Sequence, residues 1–491
     1  MKKTPRIHVP SPLFTRRNTL KGAMGLAAAS AIGCGPSGER TRSSGAALTG
    51  APNVAILGAG AGGIFAAYFL SDVCNVTLFE SRSKIGGHCD SDVVTYGGQP
   101  VTVDLGAQFF HPATHPIYVT LLEQLGLFNA ANPGTNDQTL AAPGGLCVFP
   151  TGGWSPTFSS AFPILTPVTA LDFVVYSELA RAAVQGNMSW DQTLPDWIAS
   201  LAVTDSFKQS ILMPWITALI GTTHANAQGT TARSILQSFA LAFPADPFDG
   251  ATTYNSKIGL QGNLQVVLDN SPGAQVQLSS PVQSLAFADG QWTVTTPTGT
   301  FGPFDAVVVN APPPVSAGFL RSLPWASDIV AALGAYQYFD SKIVIHTDPA
   351  YVLPERSFWS SYNAETTGAE CEGSVWLGAL QPKLADGGTV DIFKSWDNQR
   401  ATGPTQILLE RTFQHPLITP AVNQAVRAIN AAQGRNGLYF SGTFTTGMDT
   451  QEAAVWSAMQ VAGQLAPSSA TLASLDASLQ SSGLTGISYV P

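Results

Sequence analysis

Charge is scarce in this sequence. Asp, Glu, Lys and Arg together make up 11% of 491 residues, against roughly 25% in ordinary soluble domains. Lys and Arg number 23 against 32 acidic residues, for a net charge of -9. No basic tract or basic–aromatic interleaving is present to neutralise a phosphate backbone, which argues against a nucleic-acid partner. Cysteine is sparse too: Cys34, Cys74, Cys89, Cys147 and Cys371 form no CxxC pair and join no histidine cluster at ligand spacing. No structural zinc or other metal site is therefore expected, and a disulfide is permitted without being predicted. No G-x-S-x-G elbow occurs, so a serine nucleophile has no support. What the chain has in quantity is apolar surface, at 45% of residues. That is enough for two cores, since single cores stop growing near roughly 250–300 residues.

The first fifty residues read as an address. Thr15-Arg16-Arg17-Asn18-Thr19-Leu20-Lys21 precedes the apolar run Gly22–Ile32, which falls short of the roughly 20 residues a spanning helix needs. This is the pattern of a twin-arginine export signal over residues 1–34. Ala31-Ile32-Gly33-Cys34 resembles a lipoprotein processing site, which would anchor the mature chain to a membrane through Cys34; ordinary signal cleavage nearby is the alternative. The expected location is periplasmic, membrane-anchored or secreted. Proteins using this route are exported folded, commonly with a cofactor already inserted. Residues 35–50 read as a linker.

The strongest chemical signal follows at once. Val54-Ala55-Ile56-Leu57 is a short apolar strand running into Gly58-Ala59-Gly60-Ala61-Gly62-Gly63 and then a helix from Ile64 to Leu70. The glycines permit a tight turn at Gly58, close approach of backbone to a pyrophosphate at Gly60 and close helix packing at Gly63. The helix N-terminus then offers free N–H groups and partial positive charge to phosphates. A second strand, Val76–Phe79, ends in Glu80, where a carboxylate can accept both ribose hydroxyls and disfavours a 2′-phosphate. NAD and FAD share this unit.

The residues just beyond separate the two. Glu80-Ser81 is followed by Gly86-Gly87-His88, a second glycine pair that resembles the FAD-binding pattern of flavin amine oxidases and glutathione-reductase-like flavoproteins. Val103-Asp104-Leu105-Gly106-Ala107-Gln108-Phe109-Phe110-His111 resembles the segment that passes the isoalloxazine ring in flavin amine oxidases. Gly437-Leu438-Tyr439-Phe440-Ser441-Gly442-Thr443, then Gln451-Glu452-Ala453-Ala454, resembles that family's closing FAD motif, in which a helix points its N-terminus at the flavin. Ala306–Pro313 resembles the segment returning the chain to the FAD domain, with a residue near Val282 on the adenine side. The resemblance implies an α/β fold with a Rossmann-type FAD-binding domain and a discontinuous substrate domain of helices and mixed sheet. It implies FAD held by Gly58, Gly60, Gly62, Gly63, Glu80, Ser81, Gly87, His88, Gly106, Ala107, Gln108, Val282, Gly442, Thr443 and Glu452. Residues 51–110, 255–310 and 430–491 are expected to build the FAD domain, and 111–254 and 311–429 the substrate domain.

The sequence also departs from that family. Pro314–Leu320 holds no lysine where amine oxidases place one to hold a water at the flavin, and no cysteine follows Cys371 to form a C-terminal thioether, so non-covalent FAD is expected. A closer likeness is to bacterial amine-oxidase-like flavoproteins linked with unusual fatty acids, through Ala335-Tyr336-Gln337, Ile345-His346-Thr347-Asp348, Phe358–Asn363 and Gln414-His415-Pro416-Leu417. Gln451-Glu452 replaces the His-Glu pair typical of that group. The resemblance implies a small or lipid-like substrate oxidised by hydride transfer, with oxygen or another carrier as acceptor. A fatty-acyl double-bond isomerase or desaturase is the alternative, and a non-catalytic flavin-binding protein a third. Residues 111–244 read as helices, with Phe207, Ile211, Trp215 and Leu219 on one face. Met213, Trp215, Phe239 and Phe243 fit a core better than a tunnel, and His346 reads as structural. His111 and His115 stand four apart, but Pro112 and Pro116 preclude a regular helix through them. No catalytic residue is assigned by the sequence.

Overall fold

A computed structural model describes residues 48–491 except 134, 136, 161–166, 247–248 and 385. The export signal, Cys34 and nearly all of the linker lie outside the described residues.

Asn53–Leu57 is buried from Val54 onward, as a strand covered on both faces must be. It pairs in parallel with Ala306–Val309 on one side and Asn75–Phe79 on the other. Leu438–Phe440 and Gln275–Gln277 complete a five-stranded parallel sheet at its two edges. Helix Ala61–Leu70 is buried along its whole length from Gly62 and apolar all round, because it lies between the sheet and helices Gly259–Asp269 and Gln451–Leu465. The opposite face carries a three-stranded antiparallel meander, Ser284–Phe304, whose Trp292 is fully buried and donates its indole N–H to the Asn436 carbonyl at 2.8 Å.

A second sheet of seven strands runs in the order Ile407–Pro416, Tyr338–His346, Phe393–Trp396, Glu370–Trp376, Tyr362–Thr367, Leu146–Pro150, Phe158–Ser159. It is antiparallel except where Tyr362–Thr367 meets Leu146–Pro150. Helices Pro167–Gln185, Leu194–Ser200 and Ala232–Phe239 share a continuous core with its inner face. The stretch from His111 to Pro244 is thus not helical throughout, since Thr139–Pro143, Leu146–Pro150 and Phe158–Ser159 are strands. Thr139–Pro143 and Leu146–Pro150 pair with partners more than a hundred residues away, Thr252–Ser256 and Tyr362–Thr367, so local periodicity carried no trace of them, and Phe158–Ser159 is a two-residue strand added to Leu146–Pro150.

The face formed by Phe207, Ile211 and Trp215 is buried, and Trp215 joins Phe173, Tyr176, Phe239 and Phe243 in an aromatic cluster. These rings and Met213 are core. A single π turn, Lys208–Leu212, precedes helix Met213–Ile220, and the end of that helix carries Leu219 and Ile220 to the cavity described next.

Candidate active site

A cavity of about 960 Å³ opens along the carboxyl ends of the parallel strands and continues beneath the seven-stranded sheet, the place where open α/β sheets bind ligands. Gly58, Gly60, Gly62, Glu80, Ser81, Gly87, His88, Gly106, Ala107, Gln108, Val282, Gly442 and Thr443 all line it. Gly63 does not. A Cβ there would stand 2.0 Å from the Gly58 carbonyl oxygen, so its part is to let the helix close on the turn.

Glu80 draws the phosphate loop together. One carboxylate oxygen accepts the Ala59 N–H at 2.8 Å, and the other accepts the Arg82 N–H at 2.8 Å and the Ser81 hydroxyl at 3.2 Å. Asn310, just past the end of strand Ala306–Val309, donates to the Gly58 carbonyl at 3.2 Å. Gly442 adopts φ 128°, and a Cβ there would stand 2.6 Å from Oδ1 of Asn310. Ser441 donates to the Gly62 carbonyl at 3.0 Å, locking the last strand to the loop. Arg82 reaches the Gly87 carbonyl at 3.2 Å and Asp90 at 2.6 Å, holding the second glycine pair beside the first.

The second half of the cavity is built differently. The Ala107 N–H donates to the His88 carbonyl at 2.9 Å, so residues 106–108 cross directly over the second glycine pair. Lys394, 2% exposed, projects from the seven-stranded sheet and donates to the Gly106 carbonyl. Burial pulls its ammonium down to about 8, with Asp104 acting the other way. Burial pushes Asp104 up to about 6 against hydrogen bonds from Ser91 and the Leu260 N–H. Leu219, Ile235, Tyr362, Val375 and Trp396 form an uncharged wall. The Tyr362 hydroxyl and Gln108 Oε1 are buried without a partner.

At the side of the cavity the fold assembles His88, His415 and Asp449, whose ligand-type atoms lie within 4.8 Å of one another. Sequence spacing offers no such cluster, because the three come from a loop, a sheet strand and the turn before the last long helix. Burial, then the neighbouring His415, lowers His88 to about 4. Burial would raise Asp449, but the His415 hydrogen bond and charge hold it at about 2. His115 is buried, its Nδ1 2.7 Å from the Thr114 hydroxyl. His346 is buried and bonded to Ser395 at 2.8 Å.

Glu452 requires a correction. It does not line the cavity. Its carboxylate, fully buried, accepts the N–H groups of Ile117 at 3.1 Å and Tyr118 at 2.8 Å and the Tyr489 hydroxyl at 2.8 Å. Successive helix residues point about 100° apart, so Gln451 faces the cavity and Glu452 faces helix Pro116–Gln124. Burial pushes Glu452 up to about 7 against those three bonds. Because the folded value exceeds that of the unfolded chain, the group's contribution to stability is complete at low pH and is lost as pH rises through about 7. Glu452→Gln should remove this dependence. The wild type's stability relative to the variant should fall by ~3 kcal/mol between about pH 4 and about pH 8, read by urea denaturation across pH. A constant difference would show that Glu452 does not titrate there.

The sequence matches the flavin containing amine oxidoreductase family over residues 61–466. The chain belongs to that family. Membership makes it a flavoprotein oxidoreductase acting on a small molecule and passing electrons to an acceptor. Its fold is shared with a fatty acid isomerase from P. acnes that produces CLA (TM-score 0.59, 11% identity, covering 85% of this chain and 99% of that one). It is shared likewise with cyclohexylamine oxidase from Brevibacterium oxydans (0.58, 15%, 85% and 99%) and with a putrescine oxidase bound to putrescine (0.59, 14%, 84% and 98%). No protein of curated function matches the sequence.

The residues present fit a flavin dinucleotide. The glycine-loop helix begins at Gly60 with no side-chain cap, so its first N–H groups await an acceptor, as a pyrophosphate supplies. The orphaned Gln108 and Tyr362 atoms lie farther along the same cavity, beyond the second glycine pair.

Lys394, Asn310, Tyr362, Trp396 and His415 were not assigned from sequence. Asn310, Tyr362 and His415 lie in segments that carry the family resemblance, but nothing in those segments gave the three side chains a role, and neither Lys394 nor Trp396 lies in one.

Proposed function

We propose that this chain binds FAD non-covalently through the glycine loop, Glu80, Arg82, residues 106–108 and Gly442–Thr443, and oxidises an uncharged, apolar small molecule. The bound flavin would supply a two-electron acceptor for hydride leaving the substrate, with oxygen or another carrier taking the electrons onward. The observation carrying this reading is the continuity of one cavity from the phosphate loop to the wall of Leu219, Ile235, Tyr362, Val375 and Trp396.

That wall is apolar and presents no carboxylate to a cationic amine. The cavity's carboxylates are already engaged: Glu80 by the loop, Asp90 by Arg82 and Lys84, and Asp449 by His415. The same wall favours, as a second reading, isomerisation or desaturation of an unsaturated acyl chain. We place the protein outside the cytoplasm on the strength of Arg16-Arg17 and the apolar run behind them, either anchored through a lipid on Cys34 or released by ordinary signal cleavage.

The test is the visible spectrum of the full chain before and after acid denaturation, followed by anaerobic titration with amines, alcohols and unsaturated fatty acids. Yellow protein that releases its colour to the supernatant and bleaches with an apolar substrate supports the reading. An unsaturated acid altered without net bleaching or acceptor consumption selects the isomerase. Folded protein that stays colourless when supplied with FAD overturns both.

A further inference from the structure

One imidazole stands in the cavity wall with its own carboxylate. His415, on strand Ile407–Pro416, presents Nδ1 to Asp449 Oδ2 at 3.4 Å, and each side chain is 27% exposed. Asp449 sits two residues ahead of Gln451, so the turn leading into the last long helix carries the anion while the neighbouring sheet carries the ring. The ring is held on other sides by His88, with centroids 4.9 Å apart, and by Phe339 at 5.9 Å. A carboxylate at Nδ1 fixes the proton there and leaves Nε2 as an acceptor, and such contacts in ligand-free sites commonly tighten when a ligand arrives.

We propose that His415, oriented by Asp449, is the catalytic base of this site, and that the substrate is an alcohol on an apolar skeleton. The inference rests on the flavin-dependent oxidation proposed above. A neutral amine can be oxidised without a base, because its lone pair stabilises the cation left when hydride departs. An alcohol oxidised that way would yield a protonated carbonyl, a very strong acid, so a proton acceptor is required. In the balanced step the substrate C–H electron pair leaves as hydride to oxidised flavin, the hydroxyl proton passes to Nε2 of His415, and the carbon–oxygen bond becomes double. The imidazolium is stabilised by Asp449 and releases its proton to solvent.

Two measurements test this on the full chain. In 15N-histidine-labelled protein without flavin, the His415 signals should report the Nδ1-protonated tautomer, and Asp449→Asn should shift them; an Nε2-protonated ring unmoved by Asp449→Asn overturns the proposal. In FAD-loaded protein, 1-octanol or cyclohexanol should bleach the flavin anaerobically. His415→Ala should slow that bleaching ~10²–10⁴-fold, with partial rescue by added imidazole and unchanged flavin content and photoreduction. Bleaching by cyclohexylamine or oleic acid but by neither alcohol overturns the base assignment and leaves flavin oxidation standing. Failure to bind FAD overturns the underlying reading instead. Stoichiometric Zn²⁺ uptake lost in His88→Ala overturns the base role in favour of a metal centre.

Discussion

Glu80→Ala is expected to give a folded protein that has lost FAD. In the wild type the carboxylate accepts two backbone N–H groups, from Ala59 and Arg82, each at 2.8 Å. It thereby sets the phosphate loop and the start of the second glycine segment at fixed separation, before contributing anything to a ribose. A hydrogen bond to a charged group contributes ~1.5–3 kcal/mol, so losing two ribose contacts weakens binding by ~3–6 kcal/mol, or ~10²–10⁴-fold. Disorder of the loop adds to that. The fold itself should lose no more than ~1–3 kcal/mol, because the five-stranded sheet and its two apolar faces do not depend on this side chain. Calorimetric titration of the apoprotein with FAD, set beside its thermal unfolding, separates the two effects. A variant binding FAD within ~3-fold of wild type, against the range expected from lost charged hydrogen bonds, would overturn a part for Glu80 in holding FAD, whether directly or through the loop.

The legible and illegible parts of this site divide by chain locality. A pyrophosphate is held by N–H groups of one short loop, so the glycines that let backbone approach it stand close together in sequence, as Gly58, Gly60, Gly62 and Gly63 do. Gly87, Gly106 and Gly442 were readable for a related reason: each marks a crossing where backbone meets backbone. The substrate half obeys no such rule. Tyr362 and His415 come from two strands of one sheet and Lys394 and Trp396 from a third, and they share a cavity only because strand register points alternate side chains to one face. Lys394 and Trp396 stand two apart on one strand, but nothing near that strand in sequence announces Tyr362 or His415. Glu452 shows the converse failure, a correct motif read one residue too far around a helix. A motif places the backbone of a turn, whereas a rotation of about 100° per residue decides which side chain enters the cavity.

Lys394→Met is expected to make the protein more stable and much less active. The ammonium is 2% exposed, and its hydrogen-bond partner is the Gly106 carbonyl. Burial lowers it to about 8, below its value in an unfolded chain. Between about 8 and about 10.5 the unfolded chain binds the proton that the folded one has released, so this group adds stability as pH rises through that window. At neutral pH both states are charged and the folded state carries the whole desolvation penalty, ~3 kcal/mol. Methionine of similar length removes it, less the cost of an unsatisfied Gly106 carbonyl at ~1–3 kcal/mol, for a net gain of up to ~2 kcal/mol near pH 7. The same exchange removes the one buried ammonium in the cavity wall among the described residues. Positive charge held ready in a water-poor site stabilises negative charge that develops during reaction, and losing one such group typically costs ~10²–10³-fold in rate. Stopped-flow reduction of the FAD-loaded variant and urea denaturation at pH 7 and pH 10 check both halves. The stability gain should shrink at the higher pH, where the wild-type lysine is already neutral. A variant that is less stable at pH 7 and is reduced at the wild-type rate would assign Lys394 to structure alone; a slower and more stable one would show that this fold gives up stability to keep a cation beside its reacting atoms.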